Sequence, residues 1–568
     1  VFNMTEHVAF LMPAILSRYP YVCFDVNIGI FIHNEEEHEK FKRGVATERQ
    51  DKIGVINRES RTSMVEPSEE VRLLLCGVIR SIITAFVARG TISILCPYFN
   101  EIVFSLQSAL SDPYPQVKIE SAKLLVQMLR IPQWEIDAKT FADALGRAAI
   151  PNLRHRNSKV RLSALDLFEA SISIPDRSKV KGAGTEAIQD LVGFKEENVL
   201  PVAAFYKRES GIMINTLAEI SADSNPHVRS RCCAMLCFFV VCLPDRYDHH
   251  QRLLPYLISF FHDNVESTQQ MAIAAIANCG GQYIAEHPNE VIERCQHGVD
   301  GDLSCNHATG LPMPFKKRPS LEERLFIRAN TKRFFKALLA ELRNWISKIR
   351  KRSIELLSIL VVYCEEHLTM DFPYTLQSIA VALRVAKSDE DGKDRCDIVC
   401  QLLSVCSLMG RFVDPGTYVP IFLPRIIGDE SSVTTYSEGG LHSVAVRISY
   451  ISTLGAMLRG TRIDRIHFFL KDLFEALLRP ECVGNTTDEN IKKESLSTFI
   501  VLLDRLLDTN TGQLIAFCEK NCSLKDVKSL ISSSKKCLFD SLVNDDCDSI
   551  SRLLEQALHQ LNKIGDMI

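Results

Sequence analysis

His249 and His250 stand side by side in PDRYDHHQRLLPYL, and a histidine held near a nucleophile can act as a general base. No serine or cysteine stands at a recognisable spacing from them, so we read them as a helix-start pair. Nineteen cysteines could hold zinc if they were grouped. No CxxC occurs, and the nearest sets, Cys396 with Cys400 and Cys518 with Cys522, are four apart without a second pair or histidines beside them. Most of the others sit in apolar runs such as CCAMLCFFVVCL, Cys232 to Leu243, the pattern of reduced core thiols in a cytosolic protein. Gly182 and Gly184 in KGAGTEA lack the spacing and the preceding strand of a phosphate loop. HExxH, GxSxG and the kinase set are also missing from the sequence. Trp134 and Trp345, the only tryptophans, read as core packing. The sequence thus assigns no catalytic residue, cofactor site, metal site or small-molecule substrate.

What recurs is a turn. In LSDPYPQVKIESAKLLVQMLR, Leu110 to Arg130, a helix ends, a turn with two prolines follows, and a second helix begins. Val117, Ser121, Leu124, Leu125 and Met128 repeat at helical spacing and mark a buried face. Phe99, Ile102, Val103, Leu106 and Leu110 do the same before the turn. Pro115 suits a first helical turn, where its missing N–H is no loss, and Asp112 can accept from the free amides there.

The same device is an acidic or polar residue followed five positions later by a β-branched residue and then a basic or amide one. Glu66 leads to Val71-Arg72, Asp112 to Val117-Lys118, His155 to Val160-Arg161, Asp223 to Val228-Arg229, Asp263 to Thr268-Gln269 and Asn344 to Ile349-Arg350. The β-branched positions are 46, 43, 68, 40 and 81 residues apart, the 81 being close to two units and the 68 one unit plus an insert. Weaker copies begin near Val446-Arg447 and Ile491-Lys492. A period of about 40–47 residues with two helices per unit predicts an all-α chain of HEAT or armadillo type, a superhelix of antiparallel helix pairs, about eleven in all.

Composition agrees. Apolar residues make up 46% of the 568, so the chain is globular, and a net charge of −4 gives no electrostatic case for nucleic acid. The longest uncharged apolar run has 12 residues, too short to span a bilayer. The opening HVAFLMPAILSRYP reads as a repeat helix of a chain fragment, since Val1 stands where a methionine would begin a complete one.

The expected organisation is 1–64, partial or degraded repeats with a charged loop; 65–295, repeats with an insert at 175–200; 296–323, a long loop; 324–430, repeats; and 431–568, C-terminal helical repeats. A loop as long as 296–323 is functional or disordered. Its Lys316, Lys317 and Arg318 are candidates for a partner contact, although we favour a solvated basic tip. For Lys118, Arg161, Arg229 and Arg350, which open second helices, we favour a structural ladder with Asp112, Asp223, Asn344 and neighbouring caps over contact with a ligand. Lys123, Asp166 and Lys351, one turn on, are the candidate partner contacts on the concave face of stacked second helices.

In order along the chain stand EPSEEVRLLL, PYFNEIVFSLQSALSDPYPQVKIES, LRHRNSKVRLSAL, NPHVRSR, LPDRYDHHQRLLPYLISFFHD, LFIRANTKRFFKALLAELRNWISKIRKRSIELL, YCEEHL, SDED and MGRFVDP. This ordered set closely resembles the HEAT-repeat dynein axonemal assembly factors, with landmarks at Ser68-Glu69, Leu243 to Tyr247, the 296–323 loop, Trp345 with Arg350, Glu366-His367, Gly410, Phe412, Val413 and Pro415. It covers residues 65 to 425; before it no landmark matches, after about 430 only generic helical pairs do, and the 175–200 insert departs from the family's more compact spacing. The resemblance implies a cytoplasmic, non-enzymatic scaffold or co-chaperone that helps preassemble outer and inner dynein arms for cilia or flagella. Its implied partners are dynein heavy and intermediate chains, other assembly factors and chaperones, with no nucleic acid and no membrane. The rival readings are another HEAT scaffold, such as a nuclear transport receptor or a phosphatase regulatory subunit, and an enzyme with its site in the 296–323 loop.

Overall fold

Helices begin where the turn chemistry places them. Ser68 caps a helix by accepting from Val71 N at 3.4 Å, with Glu69 and Glu70 in its first turn, where acids complement the helix dipole. Asn157 and Asn225 cap two later helices, and Pro115, Pro226 and Pro415 occupy first-turn positions. Gly428, at φ +87°, ends the helix that Pro415 opens, in the left-handed conformation that favours glycine.

A computed structural model describes residues 4–18, 23–25, 30–32, 66–174, 185–192, 207–209, 212–290, 311–344, 346–388, 395–429, 443–507, 524–543 and 547–567. It divides into two compact units, Val1–Ala275 and Ile276–Ile568. Trp345, Cys518, Cys522, Gly182 and Gly184 lie outside the described residues.

The first unit holds α1 (Met4–Leu16), α2 (Glu69–Ala88), α3 (Phe99–Ala109), α4 (Pro115–Leu129), α5 (Glu135–Ala149), α6 (Ser158–Ile172), α7 (Thr185–Val192), α8 (Thr216–Ser221), α9 (Pro226–Cys242) and α10 (Arg246–Ser259). The division falls inside α11 (Glu266–Glu286). Two short antiparallel hairpins, Cys23–Asp25 with Ile30–Ile32 and Lys207–Glu209 with Ile212–Ile214, interrupt this helical order. Second helices stack on second helices, α2 on α4, α4 on α6 and α6 on α9, while α3 and α5 back α4 and α6.

The core follows from the register. Val117, Leu124, Leu125 and Met128 of α4 are buried, and each such side chain contributes about 1.5–3 kcal/mol relative to exposure. The apolar run Cys232 to Leu243 lies almost wholly in α9, with Cys232, Cys233, Met235, Leu236, Phe239 and Val240 buried. By length and composition α2 could cross a membrane, and a third of that apolar stretch is buried; Cys76, Ile79, Ile83 and Phe86 form the buried face, with which α2 packs against α4, while Leu74 is exposed. Part of the expected 175–200 insert is α7, an eight-residue helix packed on α5, with Ala187 N donating to Asp143 Oδ1 at 2.9 Å and Arg147 paired to Asp190 at 2.9 Å.

The second unit continues with α12 (Leu321–Glu341), α13 (Ser347–Cys364), α14 (Phe372–Ser388), α15 (Arg395–Phe412), α16 (Pro415–Ile427), α17 (Val444–Gly460), α18 (Ile463–Ile466), α19 (Leu470–Leu477), α20 (Pro480–Val483), α21 (Glu489–Leu507), α22 (Leu524–Val543) and α23 (Asp548–Met567). Here the stacked layer is α13, α15, α17, α21 and α23. Gly410 and Gly460 let the backbones of α15 and α17 touch: a Cβ at Gly410 would overlap Met457 O, and one at Gly460 would overlap Ser407 O. Thr461 Oγ1 closes that contact by donating to Gly410 O at 2.9 Å. Apart from the two short strand pairs of the first unit, both units are stacks of HEAT-type helix pairs, and the fold is of the all-α class.

Candidate functional site

At Asp112, Asp223 and Asp263 the turn presents an acid, and an arginine of the previous repeat reaches it. Asp112 Oδ1 accepts from Tyr114 N at 2.8 Å, folding the turn ahead of Pro115, and the carboxylate also takes Arg72 through Nε at 2.7 Å and Nη2 at 3.1 Å. Arg72 binds its own turn as well, through Glu66 O at 3.1 Å and Pro67 O at 2.9 Å. One guanidinium thus clamps two successive turns, the fork geometry that lysine cannot supply.

Arg161 repeats this with His155 O at 2.7 Å and Asp223 at 2.6 Å, and Arg229 with Asp223 O at 2.9 Å and Asp263 at 2.6 Å and 3.1 Å. Asp223 and Asp263 each fold their own turn by accepting from Asn225 N at 2.8 Å and Val265 N at 2.9 Å. Asp263 raises the Arg229 pKa through their hydrogen bonds. Lys118 reaches a neutral partner, Asn152 Oδ1 at 3.0 Å, and burial lowers its pKa. Asn344 folds its turn by accepting from Ile346 N at 2.9 Å, and Arg350 is buried.

The densest cluster centres on a residue that the repeat pattern did not single out. Glu365 is fully buried at the end of α13, and three arginines converge on its carboxylate. Arg318 binds it through Nε and Nη2, both at 2.6 Å, and Arg324 and Arg328 each approach Oε2 at 3.1 Å. Arg328 also donates to Tyr363 O at 3.3 Å and lies 3.6 Å from Glu366. Glu365 has φ +50°, a conformation that costs a non-glycine residue about 1–3 kcal/mol and persists only where the surroundings hold it.

Burial pushes the neighbouring Glu366 carboxyl up against the opposing pull of Arg328, and lowers the pKa of His367. It also raises the Cys364 thiol to about 11 and holds the Tyr363 phenol well above its ordinary range. The cluster therefore fixes charge in place and keeps its thiol and phenol protonated. Its chemistry is clamping.

A local signal could have found it. Glu66-Pro67-Ser68 precedes Arg72 and Arg318-Pro319-Ser320 precedes Arg324, so EPSEEVR and RPSLEER are versions of one device. Ser320 caps α12 as Ser68 caps α2, and Arg324 returns to Pro319 O at 3.2 Å as Arg72 returns to Pro67 O. Arg72 then reaches an acid 40 residues on and Arg324 one 41 residues on.

The remaining candidates separate. Arg318 departs from the expected solvated tip, because its guanidinium is drawn in by the buried Glu365 carboxylate; Lys316 and Lys317 beside it stay exposed. Lys123 is exposed and paired with Glu120 at 3.0 Å, Asp166 binds Arg231 at 2.6 Å, and Lys351 binds Asp397 at 2.7 Å. His249 and His250 are buried, the first beside Asp245 at 3.1 Å and the second donating to Val240 O at 2.8 Å. No group of three His, Cys, Asp or Glu able to hold a metal is present among the described residues.

Residues 311–528 match the family model described as "Dynein axonemal assembly factor 5, HEAT-repeat domain", and residues 53–195 and 206–294 match "Dynein axonemal assembly factor 5-like, TPR repeats". The second description differs from the HEAT reading of 65–295. TPR units repeat every 34 or so residues, and the turn intervals of 46, 43 and 40 in this region are longer. Dynein axonemal assembly factor 5 of Xenopus laevis is 22% identical over 468 residues, 82% of this chain and 46% of that protein. The protein of the same name from Homo sapiens is 22% identical over 64% of this chain and 36% of its own length. The chain thus spans less than half the length of the curated relatives it matches. A solved importin beta aligns at a TM-score of 0.32 with 12% identity, covering 99% of this chain and 64% of that one, a likeness too slight to carry an argument. With family models matched along both of its units, this chain belongs to the dynein axonemal assembly factor 5 family.

Proposed function

We propose that the chain is a non-enzymatic scaffold, or co-chaperone, for the cytoplasmic preassembly of outer and inner axonemal dynein arms, and so serves ciliary or flagellar motility. The observation that carries this reading is the match of both units to models of one assembly-factor family. The geometry is compatible with it. Turn-to-turn clamps hold long stacks of helices in register, which presents a wide surface to a large client without nucleotide chemistry. The densest polar cluster, around Glu365, is taken up by its own arginines.

On this reading the partners are dynein heavy and intermediate chains, other assembly factors and chaperones. Deleting the gene in a ciliated or flagellated cell tests it. Axonemes that lack both arm types, with dynein heavy chains depleted from the cytoplasm, are the expected result. Full arms and normal beating in the deletion would refute it.

A further inference from the structure

The charge of this chain is unevenly spread. Between Arg324 and Arg352 stand ten Lys or Arg against one acid, Glu341, a net of +9, which leaves −13 on the other 539 residues of a chain whose net charge is −4. Some of these cations have structural duties: Arg324 and Arg328 hold Glu365, and Lys351 pairs with Asp397. Lys332, Arg333 and Lys336 do not. They are exposed on α12 and make no ion pair among the described residues.

At 100° per residue Lys332 and Lys336 lie about 40° apart on the helix and Arg333 about 100° from Lys332, with the exposed Ala329 on the same face. That face carries cationic heads, their aliphatic stems and a methyl group. Like charges four apart, as in Lys332 and Lys336, destabilise a helix by about 0.2–0.5 kcal/mol. The sequence keeps that repulsion on a surface where no acid among the described residues pairs with these cations. Exposed Arg343 and Lys348, at the following turn, extend the basic character.

We propose that this face of α12 is a docking surface for an acidic polypeptide segment of a partner protein. Charge complementarity names the occupant class, since carboxylates supply what the stripe lacks and steer the encounter. The narrow footprint favours a short peptide over an extended polyanion. The inference rests on the scaffold reading only in taking the partner to be a protein.

The test is fluorescence anisotropy of a labelled oligoglutamate-rich peptide against the purified chain at low and near-physiological salt. The triple variant Lys332→Glu, Arg333→Glu, Lys336→Glu should weaken binding by roughly tenfold or more, from three surface pairs turned repulsive. The same number of reversals dispersed over exposed Arg130, Lys159 and Lys563 should leave it nearly unchanged. Should the glutamate variant lose helicity, Lys332→Gln, Arg333→Gln, Lys336→Gln replaces it, with a smaller loss in the same direction. Absence of peptide binding, equal loss in the dispersed variant, or no loss on removing the stripe would overturn the proposal. So would tighter binding of single-stranded RNA or phosphatidylserine vesicles at the same salt. Because the probe contains no dynein sequence, failure here leaves the assembly role standing, and failure of that role leaves this surface to be judged on its own binding.

Discussion

Replacing Glu365 by glutamine keeps the size of the side chain and removes its charge. In the native protein the carboxylate is fully buried, and the side chains of Arg324, Arg328 and Arg318 retain only 4%, 10% and 15% exposure. In the Glu365→Gln variant a single amide oxygen would face three guanidinium groups. Removing one partner of a buried pair costs about 3–5 kcal/mol, because the charge left behind stays desolvated. The backbone strain at φ +50° remains in the variant, so nothing offsets that loss.

A stacked chain of two units does not unfold in one step, so a single melting temperature would blur the effect. Native-state hydrogen exchange of the amides in 311–341 and 347–371 reads it locally. The expectation is protection reduced by about 3–5 kcal/mol there and little change in the first unit. Arg318→Ala and the double variant complete a cycle, in which the pair should show a coupling of roughly 0.5–3 kcal/mol. Protection lowered by less than about 1 kcal/mol, a surface-pair value, would show that the cluster does not hold this region together.

Three further outcomes follow from the same geometry. Val117 is fully buried, so Val117→Asp should place an unpaired charge in the first unit and lower its stability by several kcal/mol, roughly the 3–5 of an uncompensated buried ion; unchanged hydrogen-exchange protection in α3, α4 and α6 would show the repeat register to be wrong. Gly460→Ala drives a methyl group into Ser407 O, and should cost about 1–3 kcal/mol as overpacking between α15 and α17, read as lost exchange protection in those two helices; protection equal to wild type would contradict the close approach. Burial raises the Glu366 pKa above its ordinary 4.5, so its contribution to stability falls as pH rises from about 4.5 through the folded value. Glu366→Gln should therefore be more stable than wild type at neutral pH, with the advantage vanishing below pH 4.5, and denaturant unfolding that shows the opposite pH trend would reject this sign.

The turns were legible because their chemistry is local. Asp112, Asp223 and Asp263 each fold a turn within two residues of themselves, and the polar or basic residue six positions on opens the next helix. A hydrophobic period alone marks Val117 or Val160 as buried, without showing that Arg72 closes on Asp112. Glu365 was hidden because its importance comes from burial and from arginines 37 to 47 residues away, one of them in a stretch that reads as a loop. Helix α7 meets a related limit at the level of the element: eight residues give too few turns for a periodicity, and its place is set by Asp143 and Arg147 on another helix. The concave-face candidates Lys123, Asp166 and Lys351 were chosen by spacing, which does not reveal that each already has an acidic or basic neighbour.

Service as a protein scaffold in dynein arm assembly is the role on which the rest depends. The most direct measurement is to tag the chain in its own ciliated or flagellated cell, capture it separately from the cytoplasm and from isolated axonemes, and identify the proteins that accompany it. Dynein arm chains and chaperones with the cytoplasmic pool, and little tagged protein in the axoneme, are the expected result. Transport cargo or a phosphatase core in their place would contradict it.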